Sequence, residues 1–174
     1  TASHSTYRPV AVYASDVNGD GITELPRAVL MAGYKDTSSS DAVYMLDWYA
    51  YGIGKVPTKV ATTYQNISDA WSLLIDQKWH DRITAIKAND GGLSYVEFFE
   101  YRKNKMSIPL FNIYCATGSN REYYAERTDL IQLGQTTQAI YFAKLTNEGE
   151  QSELALTGDE IKARFSLVNQ AWNN

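Results

Sequence analysis

Cysteine is almost missing from this chain. Cys115 stands alone among 174 residues, so no internal disulfide can form. Histidine occurs only as His4 and His80, which leaves no His/Cys spacing for a zinc site and no ready partner for a nucleophilic cysteine. No Gly-x-Ser-x-Gly elbow and no glycine-rich phosphate loop is present. No apolar run approaches the roughly 20 residues a membrane-spanning helix needs. Basic residues are the minority, 16 against 20 acidic, for a net charge of −4. Their densest group is Arg102-Lys103 with Lys105 nearby, too little for a nucleic-acid footprint.

What is present suits one globular domain. Hydrophobic residues make up 44% and charged residues 21%, an ordinary balance for a chain that folds on its own core. A chain of this length buries roughly 70% of its unfolded surface without disulfide staples. Thirteen tyrosines and four tryptophans favour strands and point to a β-rich, extracellular domain. Cys115, in the strand-like run Phe111-Asn112-Ile113-Tyr114, is expected to be a small buried thiol.

One stretch combines residue type and spacing in a way that demands a specific chemistry. It is Asp16-Val17-Asn18-Gly19-Asp20-Gly21-Ile22-Thr23-Glu24. Calcium takes six to eight oxygen ligands at roughly 2.3–2.6 Å, and alternate positions of a tight turn can supply them. Asp16, Asn18 and Asp20 occupy loop positions one, three and five, Ile22 would give its backbone oxygen at seven, and Glu24 adds a carboxylate at nine. Three carboxylates this close repel unless a cation sits among them. Magnesium fits less well, because it keeps its waters in a small octahedron. An EF-hand is excluded, since position twelve is Arg27 rather than a bidentate glutamate. The competing account is an Asn-Gly/Asp-Gly turn that binds nothing. Val10–Tyr13 before the loop and Ala28–Met31 after it read as strands, so the loop is expected to join a hairpin.

This pattern, Asp16-x-Asn18-x-Asp20-Gly21-x-x-Glu24 between strands, resembles the calcium loop of integrin-α type (FG-GAP, or VCBS) repeats. The resemblance implies calcium as the cofactor and Asp16, Asn18, Asp20, Ile22 and Glu24 as its ligands. Only one copy occurs, so the propeller fold of that family is not implied.

Beyond the loop, Ala42–Tyr51, Val56–Tyr64, Trp71–Asp76, Ile83–Lys87, Tyr95–Tyr101, Ile108–Tyr114, Leu130–Gly134 and Ala139–Ala143 read as strands. Residues 119–128 read as a helical turn or an irregular crossing. Thr157 with Glu160 forms a capping box, and Ile161, Phe165, Val168 and Trp172 make one helical stripe. The expected fold class is α+β: a mostly antiparallel sheet with a C-terminal helix packed on it, preceded by the calcium-loop hairpin. Residues 1–8 are expected to be a disordered tail, 9–66 a β-rich region carrying the loop, and 67–174 a sheet-plus-helix region. The order of elements from Trp71 onward resembles exported lipoproteins of Gram-positive bacteria with a PsbP-like layout. That implies an α+β architecture and no known enzymatic activity.

Carboxylate pairs for catalysis do not stand out. Glu97 and Glu100 lie three apart on one strand, hence on opposite faces. Asp76, Asp81 and Asp90 flank turns and read as solvated, and His80-Asp81 lacks a nucleophile. The expected role is therefore a non-catalytic domain of an exported or cell-surface bacterial protein, stabilised by one structural calcium. Its ligand would be an extracellular glycan or protein, and a lipid anchor would lie in a segment preceding Thr1. The alternatives are a glycan- or peptide-binding module using Trp48, Tyr49, Tyr51, Tyr123 and Tyr124, and an envelope hydrolase.

Overall fold

A computed structural model describes residues 9–38, 41–90, 93–119 and 121–168. The expected tail over 1–8, together with Ser39, Ser40, Gly91, Gly92, Asn120 and Trp172, lies outside them.

Among the described residues, ten strands and two short helices follow one another. They are β1 (Leu25–Leu30), β2 (Tyr44–Ala50), β3 (Thr58–Asn66), β4 (Trp71–Leu74), β5 (Ile83–Asp90), β6 (Leu93–Arg102) and β7 (Lys105–Thr117). After these come α1 (Arg121–Ala125), β8 (Ile131–Gln135), β9 (Ala139–Leu145), α2 (Gly158–Arg164) and β10 (Phe165–Leu167). Two five-stranded sheets result, in the orders β1-β2-β3-β4-β10 and β5-β6-β7-β9-β8. Every pairing within them is antiparallel.

The sheets share one core because each strand sends alternate side chains inward. On β6, Val96, Phe98 and Glu100 are buried while Tyr95, Glu97 and Phe99 are half-buried on the other face. Rings interlock across the interface: Tyr64 meets Phe98 edge-on at 5.4 Å, and Phe98 stacks on Phe111 at 4.8 Å. The chain changes sheets between β4 and β5 through a one-turn 3-10 helix, Gln77–Trp79, with Trp79 fully buried.

The expected α+β architecture is overturned. The molecule is mostly antiparallel β in two sheets, and α1 and α2 span only five and seven residues. The capping box forms as read, with Thr157 Oγ1 accepting from Glu160 N–H and the Glu160 carboxylate accepting from Thr157 N–H. The helix then stops. Phe165 turns extended (φ −84°, ψ 138°), and Phe165–Leu167 pairs with β4 as a sheet edge. Extending the strand buries the Phe165 ring against Trp71 at 5.9 Å and Tyr141 at 5.7 Å. Phe, Ser and Val are weak helix formers, so tertiary packing wins over the helical stripe. No helix among the described residues is long and apolar enough to cross a membrane.

A tight crossing joins β9 to the segment leading to α2. The Thr146 hydroxyl donates to the carbonyls of Pro109 and Leu110 and accepts from Gly149 N–H at 3.0 Å. A Cβ on Gly149 would collide with Leu110 O and lie 2.8 Å from Leu110 Cα and 2.7 Å from Thr146 Oγ1. Two of these atoms are backbone of a central strand and cannot yield cheaply. Gly149→Ala should therefore cost about 1–3 kcal/mol, measured as a lower urea midpoint at unchanged slope.

Candidate metal centre

The Asp16–Glu24 loop is shaped by its own side chains. Gly19 (φ +75°) and Gly21 (φ +84°) take the left-handed conformations that let the chain reverse twice. Asp16 Oδ1 accepts from Gly19 N–H at 2.8 Å and Asp20 N–H at 3.1 Å, and its Oδ2 accepts from Gly21 N–H at 2.8 Å. These amides, that of Gly21 foremost, hold the Asp16 carboxyl below its usual range. Asp20 Oδ1 accepts from Ile22 N–H at 2.8 Å, and Glu24 Oε2 accepts from Val17 N–H at 2.9 Å. Five backbone amides thus point at three carboxylates and offset part of their mutual repulsion.

The expected hairpin around the loop is only half formed. β1 follows it, but Val10–Tyr13 is not a strand, and a single bridge, Ser15 with Glu24, closes the loop. Its two bonds measure 3.2 and 3.0 Å. Continuing that register would set Tyr13 opposite Pro26, which has no N–H to give, so the ladder ends there.

One ligand oxygen from each of Asp16, Asp20 and Glu24 lies within 4.8 Å of the others. Oxygens on one calcium are separated by at most about twice the bond length, about 5 Å, so the three fit a single ion. Asp16 and Asp20 are exposed, whereas Glu24 is fully buried. Glu24 Oε1 has no hydrogen-bond partner among the described residues. An unpartnered buried carboxylate oxygen is costly, and a hard cation among these groups removes the cost. Asn18 belongs to the same turn, but its Oδ1 accepts from Asp20 N–H at 3.1 Å and its Nδ2 donates to Asp20 Oδ2 at 2.9 Å. To ligate, the amide must turn its oxygen toward the carboxylates. Ile22 has its side chain half exposed and its N–H bonded to Asp20 Oδ1.

Among the described residues, no other acidic, His or Cys group forms a comparable centre. Glu97 and Glu100 do take opposite faces, and Glu100 is fully buried. Its Oε1 meets Arg102 Nε at 2.5 Å and Arg82 Nη2 at 3.2 Å, and its Oε2 accepts from Ser152 Oγ at 2.5 Å. His80 Nδ1 lies 3.3 Å from an exposed Asp81 on the surface. Asp76 is not simply solvated, as the sequence suggested. It caps Lys78 N–H at 3.0 Å and pairs with Arg164 at 2.8 Å, a partner 88 positions away. Cys115 is buried, which pushes its thiol up to about 11 and makes it inert.

Of the aromatics expected as a sugar platform, Tyr51 and Tyr123 are exposed and Trp48 is not. Trp48 is fully buried and donates to Thr63 Oγ1 at 2.8 Å. Tyr114 and Tyr124 stack on Phe142 at 5.0 and 5.4 Å, so each gives one ring face to Phe142. Comparison of the chain with family models, curated proteins and solved structures finds no match.

Proposed function

We propose that the Asp16–Glu24 loop binds one calcium ion, and that the chain is a non-catalytic domain working outside the cytoplasm. Asp16, Asp20 and Glu24 supply charge, Asn18 an amide oxygen and Ile22 a backbone oxygen. The observation that carries this reading is the fully buried Glu24 carboxylate, whose Oε1 has no hydrogen-bond partner among the described residues and which offers an oxygen within 4.8 Å of those of Asp16 and Asp20. The ion adds to the one backbone bridge and the side-chain-to-amide bonds that hold residues 15–24 against the start of β1. Its role is then structural, and the domain serves in binding or scaffolding. Extracellular calcium modules bind with dissociation constants of about 0.1–1 mM, so such a site fills where free calcium is millimolar.

Thermal melts in EDTA and in calcium test the reading. With about 2 mM calcium, that affinity range adds about 0.6–2 kcal/mol, which lifts Tm by about 1–7 °C. Asp20→Ala should abolish the rise. Glu24→Gln, which keeps the shape and can still accept from Val17 N–H, should abolish most of it. A wild-type melt indifferent to calcium would reduce the loop to a turn.

A further inference from the structure

The β2–β3 hairpin projects from the body. Residues 51–60 are all exposed, including Thr58–Val60 on both faces of β3, although Thr58 and Lys59 are paired to Ala50 and Tyr49. Its tip is a turn closed by Lys55 N–H to Gly52 O at 3.0 Å, with Gly54 at φ +69°. Ile53 at the apex is 106% exposed, Val56 85% and Tyr51 56%. A soluble arm has no folding reason to carry three large apolar groups there. The arm also holds Lys55 and Lys59 and no carboxylate, in a chain whose net charge is −4. Lys59 reaches Asp47 at 3.3 Å at the base, which leaves Lys55 as the tip charge.

We infer that this hairpin docks the protein on an anionic lipid bilayer. The arm carries the groups a bilayer interface takes: apolar side chains at Ile53 and Val56, an amphipathic ring at Tyr51 and, between Ile53 and Val56, a lysine whose long stem lets its ammonium reach back to the headgroups. Ile53 and Val56 enter the acyl boundary, Tyr51 sits at headgroup level, and Lys55 meets lipid phosphate. At the apex Ile53 stands between Gly52 and Gly54 with Lys55 beside it, an apolar point next to a cation that suits a fluid anionic surface. The acidic Asp16–Glu24 loop lies at the same end of the sheet, since Leu25 pairs with Tyr49. The test is therefore run both in EDTA and in millimolar calcium, which keeps it independent of the metal proposal.

Co-sedimentation uses phosphatidylcholine vesicles with and without about a quarter phosphatidylglycerol. The wild type should sediment with the anionic vesicles under at least one of the two conditions, and much less with the neutral ones. Ile53→Asp should weaken that binding about tenfold or more, and Lys55→Glu should weaken it by a lesser factor. Both positions are open to solvent, so the fold tolerates them. In the unmutated protein, anionic vesicles should also slow tryptic cleavage after Lys55. Absence of sedimentation under both conditions, or an Ile53→Asp variant that binds like the wild type, overturns the inference.

Discussion

Replacing Arg82 and Arg102 together by alanine should destabilise the protein by about 3–5 kcal/mol at neutral pH. Glu100 is fully buried, and these two guanidiniums supply its only charge partners among the described residues. Without them the carboxylate keeps just the Ser152 hydroxyl. Removing Glu100 instead should cost less. Arg82 and Arg102 side chains are 41% and 47% exposed and can turn to water, whereas a stranded buried carboxylate cannot. The sign of the pH dependence separates this account from simple loss of packing. In the wild type, burial pushes the Glu100 carboxyl up, but the hydrogen bonds of Arg102 and Ser152 and the charge of Arg102 outweigh it and hold it below 4.5. Its stabilisation is present above that ordinary value and lost as pH falls through the lowered one. In the double variant burial dominates, and the carboxyl rises above its ordinary range. Folding then favours the protonated form, so stability declines as pH climbs through the raised value. Urea midpoints measured from neutral pH down to about 5 should therefore rise in the variant and stay nearly flat in the wild type. A variant with the wild-type slope would mean that water reaches Glu100.

The contrast between local and distant signals explains what could be read from the chain beforehand. Strand positions were legible because period-two alternation is local: Val96, Phe98 and Glu100 declare their shared face without any partner. The metal loop was legible for the same reason, since its donors fall within nine residues. Pro26 was visible too, and its missing N–H removes one ladder bond that a strand over Val10–Tyr13 would use. What was hidden depends on partners far along the chain. That Phe165 leaves the helix is decided by Trp71 and Tyr141. That Asp76 is an ion-pair partner is decided by Arg164. The division into two sheets is decided by one turn at Trp79, across which β4 and β5 do not pair. The burial of Glu24, which distinguishes the loop from an acidic surface turn, follows from a bridge to Ser15 that no local pattern announces.

The turn at Trp79 is where a single substitution should do most harm. Trp79→Ala should cost about 3–5 kcal/mol and lower Tm by about 6–20 °C. The indole is fully buried at the point where the chain leaves one sheet for the other. Its ring packs against Phe111 of β7 at 5.8 Å, its Nε1 donates to Leu154 O at 3.1 Å, and Arg164 of α2 lies over it at 5.9 Å. One side chain therefore ties the crossover, the second sheet, the segment before α2 and α2 itself. Arg164 is held from the other side by Asp76, the residue that caps the same turn. Truncation leaves a large cavity and an unpaired carbonyl at Leu154, and it frees a guanidinium that orients α2. Trp79→Phe separates these terms. It retains most ring contact with Phe111 but strands Leu154 O, so its cost should fall near the about 1–3 kcal/mol of one unsatisfied buried acceptor. Trp79 belongs to a different part of the chain from the Asp16–Glu24 loop and shares no partner with it. A calcium-dependent gain in stability should therefore be the same in Trp79→Ala as in the wild type. A gain that disappears with the tryptophan would mean that the loop is ordered through the core rather than by its own ion.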